Sequence, residues 1–399
     1  MSISKEIEKI EKAGLLRRTH LLMPADRPGW VTYRGRSLMD LCSNDYLCLS
    51  HHPDLIDASC RASRTGGCSA RASRLMSGTL EVHERLETAV ARLKNSEAAL
   101  VLGSGYLANT GIIPALCSRH DAIFSDRLNH ASIMDGIQLS RARLFRYRHR
   151  DTGHLRQLLE THRQDYPNAL IISESIFSMD GDMADIPALI RLKRQYSAML
   201  LIDDAHATGI FGKYGEGAVE RDVAREVDVI TGTFGKALGS YGAYAAVSQE
   251  MKELLINRCR TFIFSTALPP SVTEASLSAI RIVTQDDRPR QYLLDLSARF
   301  RQLLRDETGI STHSVSQIVP ITVGSNRAAL ELQRLLMDAG FFTKAIRPPT
   351  VPQNTARIRV SLTTAHHMDD LRRLVSVTKG FIIQDSYHQT QPVNSITSA

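Results

Sequence analysis

Short apolar runs alternate with stretches of helical spacing through the middle of this chain. Ala99–Leu102, Leu170–Ser173, Met199–Ile202, Val227–Thr231 and Ala243–Val247 read as strands, several ending in glycine or an acidic residue before a helical pattern begins. The alternation predicts an α/β fold with a mostly parallel central sheet covered by helices. Function in such sheets gathers at the carboxyl ends of strands. Ser104-Gly105, Glu174, Asp203 and Lys236 all fall just past those ends.

Around Thr284–Arg290 the pattern turns polar, which reads as a hinge. Beyond it the order is helix, strand (Ile318–Val323), helix, strand (Ile358–Leu362), helix, a smaller C-terminal α+β domain. The expected boundaries are an N-terminal helix and arm over 1–50, a large domain over 51–285, the small domain over 286–384 and a polar, disordered tail over 385–399. Ile3, Ile7 and Ile10 fall at helical spacing and predict a short docking helix.

With 43% hydrophobic and 23% charged residues, the 399-residue chain has the composition of a soluble globular protein. No apolar run approaches the ~20 residues that span a bilayer, so no membrane is expected. The segment from Ser4 to Lys12 carries both charges, no export or transit signal is visible, and a cytoplasmic location is expected. The six cysteines form no CxxC pair and read as reduced and structural. The fourteen histidines show no metal-ligand spacing, so no metal is expected. The formal net charge of +7 is spread without a Lys/Arg block, which disfavours nucleic acid. It suits an anionic substrate such as coenzyme A or an acidic carrier protein.

Lys236 sits in a glycine frame, Gly232-Thr233-Phe234-Gly235-Lys236-Ala237-Leu238-Gly239. The spacing is wrong for a nucleotide-binding Walker loop, which needs four residues before Gly-Lys and a hydroxyl after it. A lysine against a strand end can instead hold an aldehyde as a Schiff base. Asp203 and His206, one βα unit upstream, can tune that aldehyde's ring. These are the parts a pyridoxal phosphate (PLP) enzyme needs. Taken alone, Asp203 to His206 also suits a helix cap, and His130 suits a structural histidine. Gly103-Ser104-Gly105 makes a small-residue turn into a helix start, which suits a phosphate. Arg357 and Arg359 share a strand face, and one of them can pair with a substrate carboxylate.

Together these runs resemble the α-oxoamine synthases, a PLP-dependent family of fold type I. The likeness extends from Arg17 to His367 and includes Ser43 to Leu47, Ser73-Arg74, Asp126 to Ser132, Ser178 to Gly181, Asp203 to His206, Thr233 to Lys236 and Ser265-Thr266. It implies that Lys236 forms the Schiff base, His130 stacks on the ring, Asp203 partners the pyridine nitrogen and His206 the phenolic oxygen. It also implies cofactor contacts at Gly105, Tyr106, Ser178, Thr233 and Thr266, the last reaching the neighbouring subunit's phosphate in a homodimer with shared sites. Arg17, His130, Thr350 and Arg359 match substrate-contacting positions. The run from Ala345 to Pro352 is similar to members that join L-alanine to a pimeloyl thioester on coenzyme A or acyl carrier protein. Glycine with an acetyl thioester stays open. Three places depart from the family pattern: Cys48 and the pair Ser69 and Arg71 where glycines are usual, and Arg150 where asparagine is usual.

Overall fold

The computed structural model describes residues 2–390. The chain opens with α1 (Ile3–Lys12) and the strands β1 (Met23–Pro24), β2 (Trp30–Tyr33) and β3 (Arg36–Asp40). Next come α2 (Pro53–Gly66), α3 (Glu81–Lys94), β4 (Ala98–Leu102), α4 (Gly105–Leu116), β5 (Ala122–Asp126), α5 (Ala131–Ser140) and β6 (Arg143–Tyr147). The middle continues with α6 (Thr152–His162), β7 (Ala169–Glu174), α7 (Ile186–Gln195), β8 (Met199–Asp203), β9 (Val229–Thr233) and β10 (Ala243–Val247). Helices α8 (Gln249–Arg258), α9 (Arg260–Ile263), α10 (Pro270–Gln285) and α11 (Arg288–Thr308) follow. The last elements are β11 (Ile318–Gly324), α12 (Asn326–Asp338), β12 (Phe341–Phe342), β13 (Ala345–Ile346), β14 (Ala356–Ser361) and α13 (Met368–Thr390).

These elements form two compact units. One comprises Asn44–Ser178 and Asp182–Leu293; the other comprises the described residues up to Ser43, Met179–Gly181 and the described residues from Leu294. The larger unit holds a seven-stranded sheet in the order β4-β10-β9-β8-β7-β5-β6. Pairing is parallel from β6 through β9, while β10 runs antiparallel to both of its neighbours. Leu100, Ile123, Leu170, Leu201 and Val229 of the strands pack in one core with Ile112 of α4 and Ile133 of α5. Each such side chain, fully withdrawn from water, contributes roughly 1.5–3 kcal/mol. The smaller unit holds a four-stranded sheet, β1-β2-β3-β12, and a three-stranded antiparallel sheet, β11-β14-β13.

The apolar runs located β4, β7, β8 and β10 to within a residue, because strands covered on both faces read as uninterrupted apolar segments. Strand β9 sits two residues later than expected, so Gly232 and Thr233 belong to it. Gly232 lies opposite Tyr244 on β10, and a Cβ there would come within 2.2 Å of the Tyr244 hydroxyl. The glycine makes room for a tyrosine. Strand β6 escaped notice because Arg143 and Arg146 break its pattern at the sheet edge. Helix α1 forms as its isoleucines suggest, but it buries no residue within the chain. The polar break lies at Asp286, and the division into units falls inside α11. Helix α13 runs past Gln384 to Thr390, into the stretch expected to be tail, and 391–399 lie outside the described residues.

The departures at Cys48, Arg71 and Arg150 share a cause for notice. Their φ angles are 55°, 70° and 57°, in the left-handed region that favours glycine or asparagine. Cys48→Gly, Arg71→Gly and Arg150→Asn should each stabilise the protein by about 0.5–1 kcal/mol, once relief of strain is offset against the looser unfolded chain. Urea denaturation of the three variants checks this, and a loss of stability in all of them would refute it.

Candidate active site

Parallel register brings the functional side chains of the larger unit to one edge of its sheet. Glu174 at the end of β7 lies opposite Asp203 at the end of β8, and Asp203 lies opposite Thr231 on β9. The chain after Asp203 turns at once, carrying His206, and the chain after Thr233 carries Lys236. His130 is the N-cap of α5, where its Nδ1 accepts from the Ser132 N–H at 3.3 Å. Backbone position therefore fixes each group before any ligand arrives.

Lys236 Nζ lies 2.7 Å from His206 Nε2, and His206 Nδ1 lies 2.8 Å from the Tyr46 hydroxyl. Asp203 is 8% exposed. Its Oδ2 accepts from Asn109 Nδ2 at 2.7 Å and its Oδ1 from the Ala205 N–H at 3.0 Å. Asn109 Nδ2 also reaches Ser132 Oγ at 3.0 Å, which ties the carboxylate to the helix that His130 caps. Gly239, at φ 60°, brings the lysine loop against Leu49 and Ser50, where a Cβ would meet the Ser50 nitrogen at 2.4 Å.

On the other side of β9, Ser104 caps α4 by accepting from the Leu107 N–H at 3.2 Å. Gly105 and Tyr106 open that helix, so their N–H groups have no intrahelical partner. A Cβ on Gly105 would lie 3.9 Å from that of Thr233. The Thr233 hydroxyl donates to the Gly242 carbonyl at 2.8 Å and accepts from the Gly235 N–H at 3.0 Å. It must rotate to donate elsewhere. The Tyr106 side chain is exposed and donates to Asp135, away from the helix start where its N–H lies. Ser178 is buried beyond β7, and Thr266 is exposed in an isolated antiparallel bridge with Ser73.

Asp204, adjacent to Asp203, points the other way and does more than cap a helix. Its Oδ2 accepts from Lys94 Nζ at 2.5 Å, with both side chains fully buried. Ser175 Oγ donates to its Oδ1 at 2.5 Å, and the Ala218 N–H does so at 3.2 Å. Lys94 also donates to Thr208 Oγ1 at 3.0 Å and to the Glu216 carbonyl. This satisfied buried network anchors the backbone from which Asp203 projects. Nothing in the sequence around Lys94 announces it.

A second network holds the turn after β7. His149 bridges Asp126 (Nδ1 to Oδ1, 3.0 Å) and Asp182 (Nε2 to Oδ2, 2.9 Å). Burial alone would lower its pKa, but the two carboxylates lift it to about 9. A histidine raised in the folded state contributes stability that is complete below its unfolded pKa of about 6.5 and is lost as pH rises through about 9. Unfolding free energy should therefore fall by up to about 3 kcal/mol between pH 6 and pH 10. His149→Gln should remove that decline, and an unchanged pH profile in the variant would count against the bridge.

In the smaller unit, Arg17 Nη2 donates to Thr350 Oγ1 at 3.0 Å. Both line a cavity of about 430 Å³ together with Arg18, Lys344 and Arg347. Arg359 is buried on β14, where its Nη1 donates to Ser361 Oγ at 2.6 Å. Its strand neighbour Arg357 is ion-paired with Asp180. Of the two arginines the sequence left open, Arg357 is thus committed to the protein.

The sequence profile of the aminotransferase class I and II family matches residues 36–377. The chain belongs to that family. The 8-amino-7-oxononanoate synthase of Geobacter sulfurreducens is 47% identical over 94% of this chain and 96% of its own length. A solved structure of SPT with its PLP internal aldimine superposes with a TM-score of 0.89 at 27% identity, over 96% of this chain and 97% of that one. The 8-amino-7-oxononanoate synthase of Francisella tularensis superposes at 0.75 with 27% identity, over 88% of this chain and 99% of that one. The fold is fold type I of the PLP-dependent transferases.

The side chains fit that cofactor. An amine held by a histidine, a carboxylate fixed by an amide, an exposed histidine ring and a glycine helix start meet at one sheet edge. Among the described residues no helix is long and apolar enough to cross a membrane, and no cluster of acidic, histidine or cysteine side chains is set to hold a metal ion. Sequence reasoning missed Tyr46, Asn109 and Lys94, which position the functional groups. Asn109, one turn into α4, was visible only as part of a helix start.

Proposed function

We propose that the protein is a PLP-dependent acyltransferase, an 8-amino-7-oxononanoate synthase of biotin biosynthesis. It joins L-alanine to a pimeloyl thioester on coenzyme A or acyl carrier protein. A carbon–carbon bond forms between the alanine α-carbon and the thioester carbonyl, the carbon–sulfur bond breaks to release the thiol, and the alanine carboxylate leaves as CO2. The observation that carries this reading is the contact of Lys236 with His206 beside an Asp203 that Asn109 holds in place. Relatives named 8-amino-7-oxononanoate synthase, similar over nearly the whole chain, support the choice within the family.

PLP, when bound, supplies an aldehyde for Lys236 and a ring that takes up the electron pair released at the amino acid's α-carbon. Asp203 would keep a proton on the ring nitrogen, since a fixed carboxylate raises the pKa of a cationic partner. Lys236 Nζ would take the α-proton of alanine, with His206 Nε2 orienting it. His206 would also partner the ring oxygen, and His130 would hold the ring by stacking on it. The N–H groups of Gly105 and Tyr106, with Thr233, would hold the phosphate, Ser178 would contact the cofactor, and Thr266 would complete the phosphate site from the neighbouring subunit of a homodimer. Arg359 takes the alanine carboxylate. Arg17 and Thr350, with the basic cavity around them, take the anionic end of the acyl donor. A cytoplasmic location goes with this reading.

Steady-state assays of alanine with pimeloyl-CoA against glycine with acetyl-CoA test it. The alanine and pimeloyl pair should give a kcat/KM at least about tenfold higher, the smaller end of what pocket fit can discriminate. Faster turnover of the glycine and acetyl pair would overturn the assignment in favour of a glycine C-acetyltransferase.

A further inference from the structure

Helices α2, α3 and α10 of the larger unit line a cavity that takes no part in the scheme above. On α3, Arg85, Ala89 and Arg92 stand at i, i+4 and i+7 and so share a face. On α10, Glu274, Ser278 and Arg281 do the same, and on α2 Ala58 and Arg61 stand one turn apart. The alanines and the serine are small, and they leave open the space that longer side chains would fill. The cavity measures about 800 Å³, inside the roughly 300–1,000 Å³ of small-molecule sites. Its floor is apolar, with Leu93 and Ile280 buried and Leu277 half-buried beside them.

Its rim is cationic. Guanidinium groups of Arg61, Arg85, Arg92, Arg221 and Arg281 line it with one carboxylate, Glu274. Arg85 takes that carboxylate at 2.7 Å. Arg221 donates to the Arg92 and Leu93 carbonyls at 2.8 and 2.9 Å, and Arg281 donates to Ser278 Oγ at 3.2 Å. The guanidinium groups of Arg61 and Arg92 have no partner among the described residues. Like charges around one cavity repel, and a single anion with several charges relieves them together. Guanidinium forks suit phosphate oxygens in particular.

Two more side chains bear on what carries the phosphates. The Tyr214 ring lines the cavity and is 38% exposed, with the Arg221 guanidinium 5.5 Å from its centroid. A flat ring can stack there. Gln285, the last residue of α10, brings an exposed amide with no partner among the described residues. Such an amide pairs in two places with the N6 and N7 edge of adenine. A fatty chain would use the floor and leave both the ring and the amide idle.

We infer that this cavity binds an adenosine polyphosphate, either a free nucleotide or the nucleotide end of coenzyme A. The phosphates meet Arg61, Arg92 and Arg281, and the base meets Tyr214 and Gln285. None of these residues belongs to the group around Lys236, so the site is separate from the candidate active site. The inference stands without the PLP assignment.

Equilibrium dialysis of the purified full-length protein tests it with ATP, coenzyme A, adenosine and pyrophosphate. ATP or coenzyme A should bind at least about tenfold more tightly than adenosine or pyrophosphate, because only the whole nucleotide meets both ends of the site. The tighter of the two names the source. Arg61→Ala with Arg92→Ala should weaken that ligand by about tenfold or more, the scale of a lost hydrogen bond between charged groups. Gln285→Ala should weaken it by about fivefold while leaving pyrophosphate unchanged. All three positions are exposed, so the variants should melt as wild type does. Four results would overturn the proposal: no binding of either ligand, equal binding by the double variant, pyrophosphate as tight as the nucleotide, or a double variant whose oligomeric state differs in sedimentation. The last would mean that a second copy of the chain covers this face. Should the variants fail to fold, 8-azido-ATP labelling of wild type decides. A label mapped to Tyr214 or α10 supports the site, and a label found only elsewhere refutes it.

Discussion

Borohydride reduction of the holoenzyme should fix PLP on Lys236 and on no other lysine, and Lys236→Ala should lose both the adduct and turnover. Lys236 is half-buried, close to His206 and flanked by glycines, so its amine is held where an aldehyde can reach it. Removing a positioned proton-transfer group costs up to about 10⁴-fold. Removing the covalent anchor as well should push the loss to the limit of detection. Folding should survive, because the loop is fixed by Gly239 against Leu49 and Ser50 and not by the lysine side chain. Peptide mapping after reduction reads the result, and an adduct on any other lysine would displace Lys236 from its role.

That expectation was legible in the sequence because the candidate site's side chains lie where apolar runs end. Asp203, His206 and Lys236 follow strands whose continuous burial made them conspicuous, so their meeting at one sheet edge follows from parallel pairing alone. What escaped was whatever depends on pairing across long stretches of chain. Lys94 lies at the end of α3, looks like a solvated helix-terminal charge, and is instead the least exposed lysine at the heart of the larger unit. Glu174 looked like the start of a polar turn and is instead the buried last residue of β7. Glycine at position 232 reads in the sequence as part of the frame around Lys236, and in the fold it makes room for the hydroxyl of Tyr244. The family departures at Cys48, Arg71 and Arg150 were visible as substitutions, but their shared backbone angle was not.

Asp203→Asn and Asp204→Asn should fail in opposite ways. At position 203 the amide oxygen can keep only one of the two bonds the carboxylate accepts, from Asn109 Nδ2 or from the Ala205 N–H, so stability should fall by only about 1–2 kcal/mol. Without its charge the ring nitrogen loses the partner that keeps it protonated, and turnover should fall by several orders of magnitude, each ~1.4 kcal/mol of barrier being a factor of ten. At position 204 the loss falls on the fold. Burial alone would lower the pKa of Lys94, yet the charge of Asp204 lifts it above its ordinary value, so the ammonium is held charged by that carboxylate. An uncompensated buried charge costs about 3–5 kcal/mol. Lys94→Met should cost a similar amount by stranding Asp204. The double variant Lys94→Met with Asp204→Leu should regain part of it, since an apolar pair of matching volume replaces a buried ion pair at little loss. Denaturation curves of the four proteins, with alanine α-proton exchange measured at a temperature where all are folded, separate the two effects. An Asp204→Asn protein of normal stability that cannot exchange the proton, beside an active Asp203→Asn protein, would reverse the two roles.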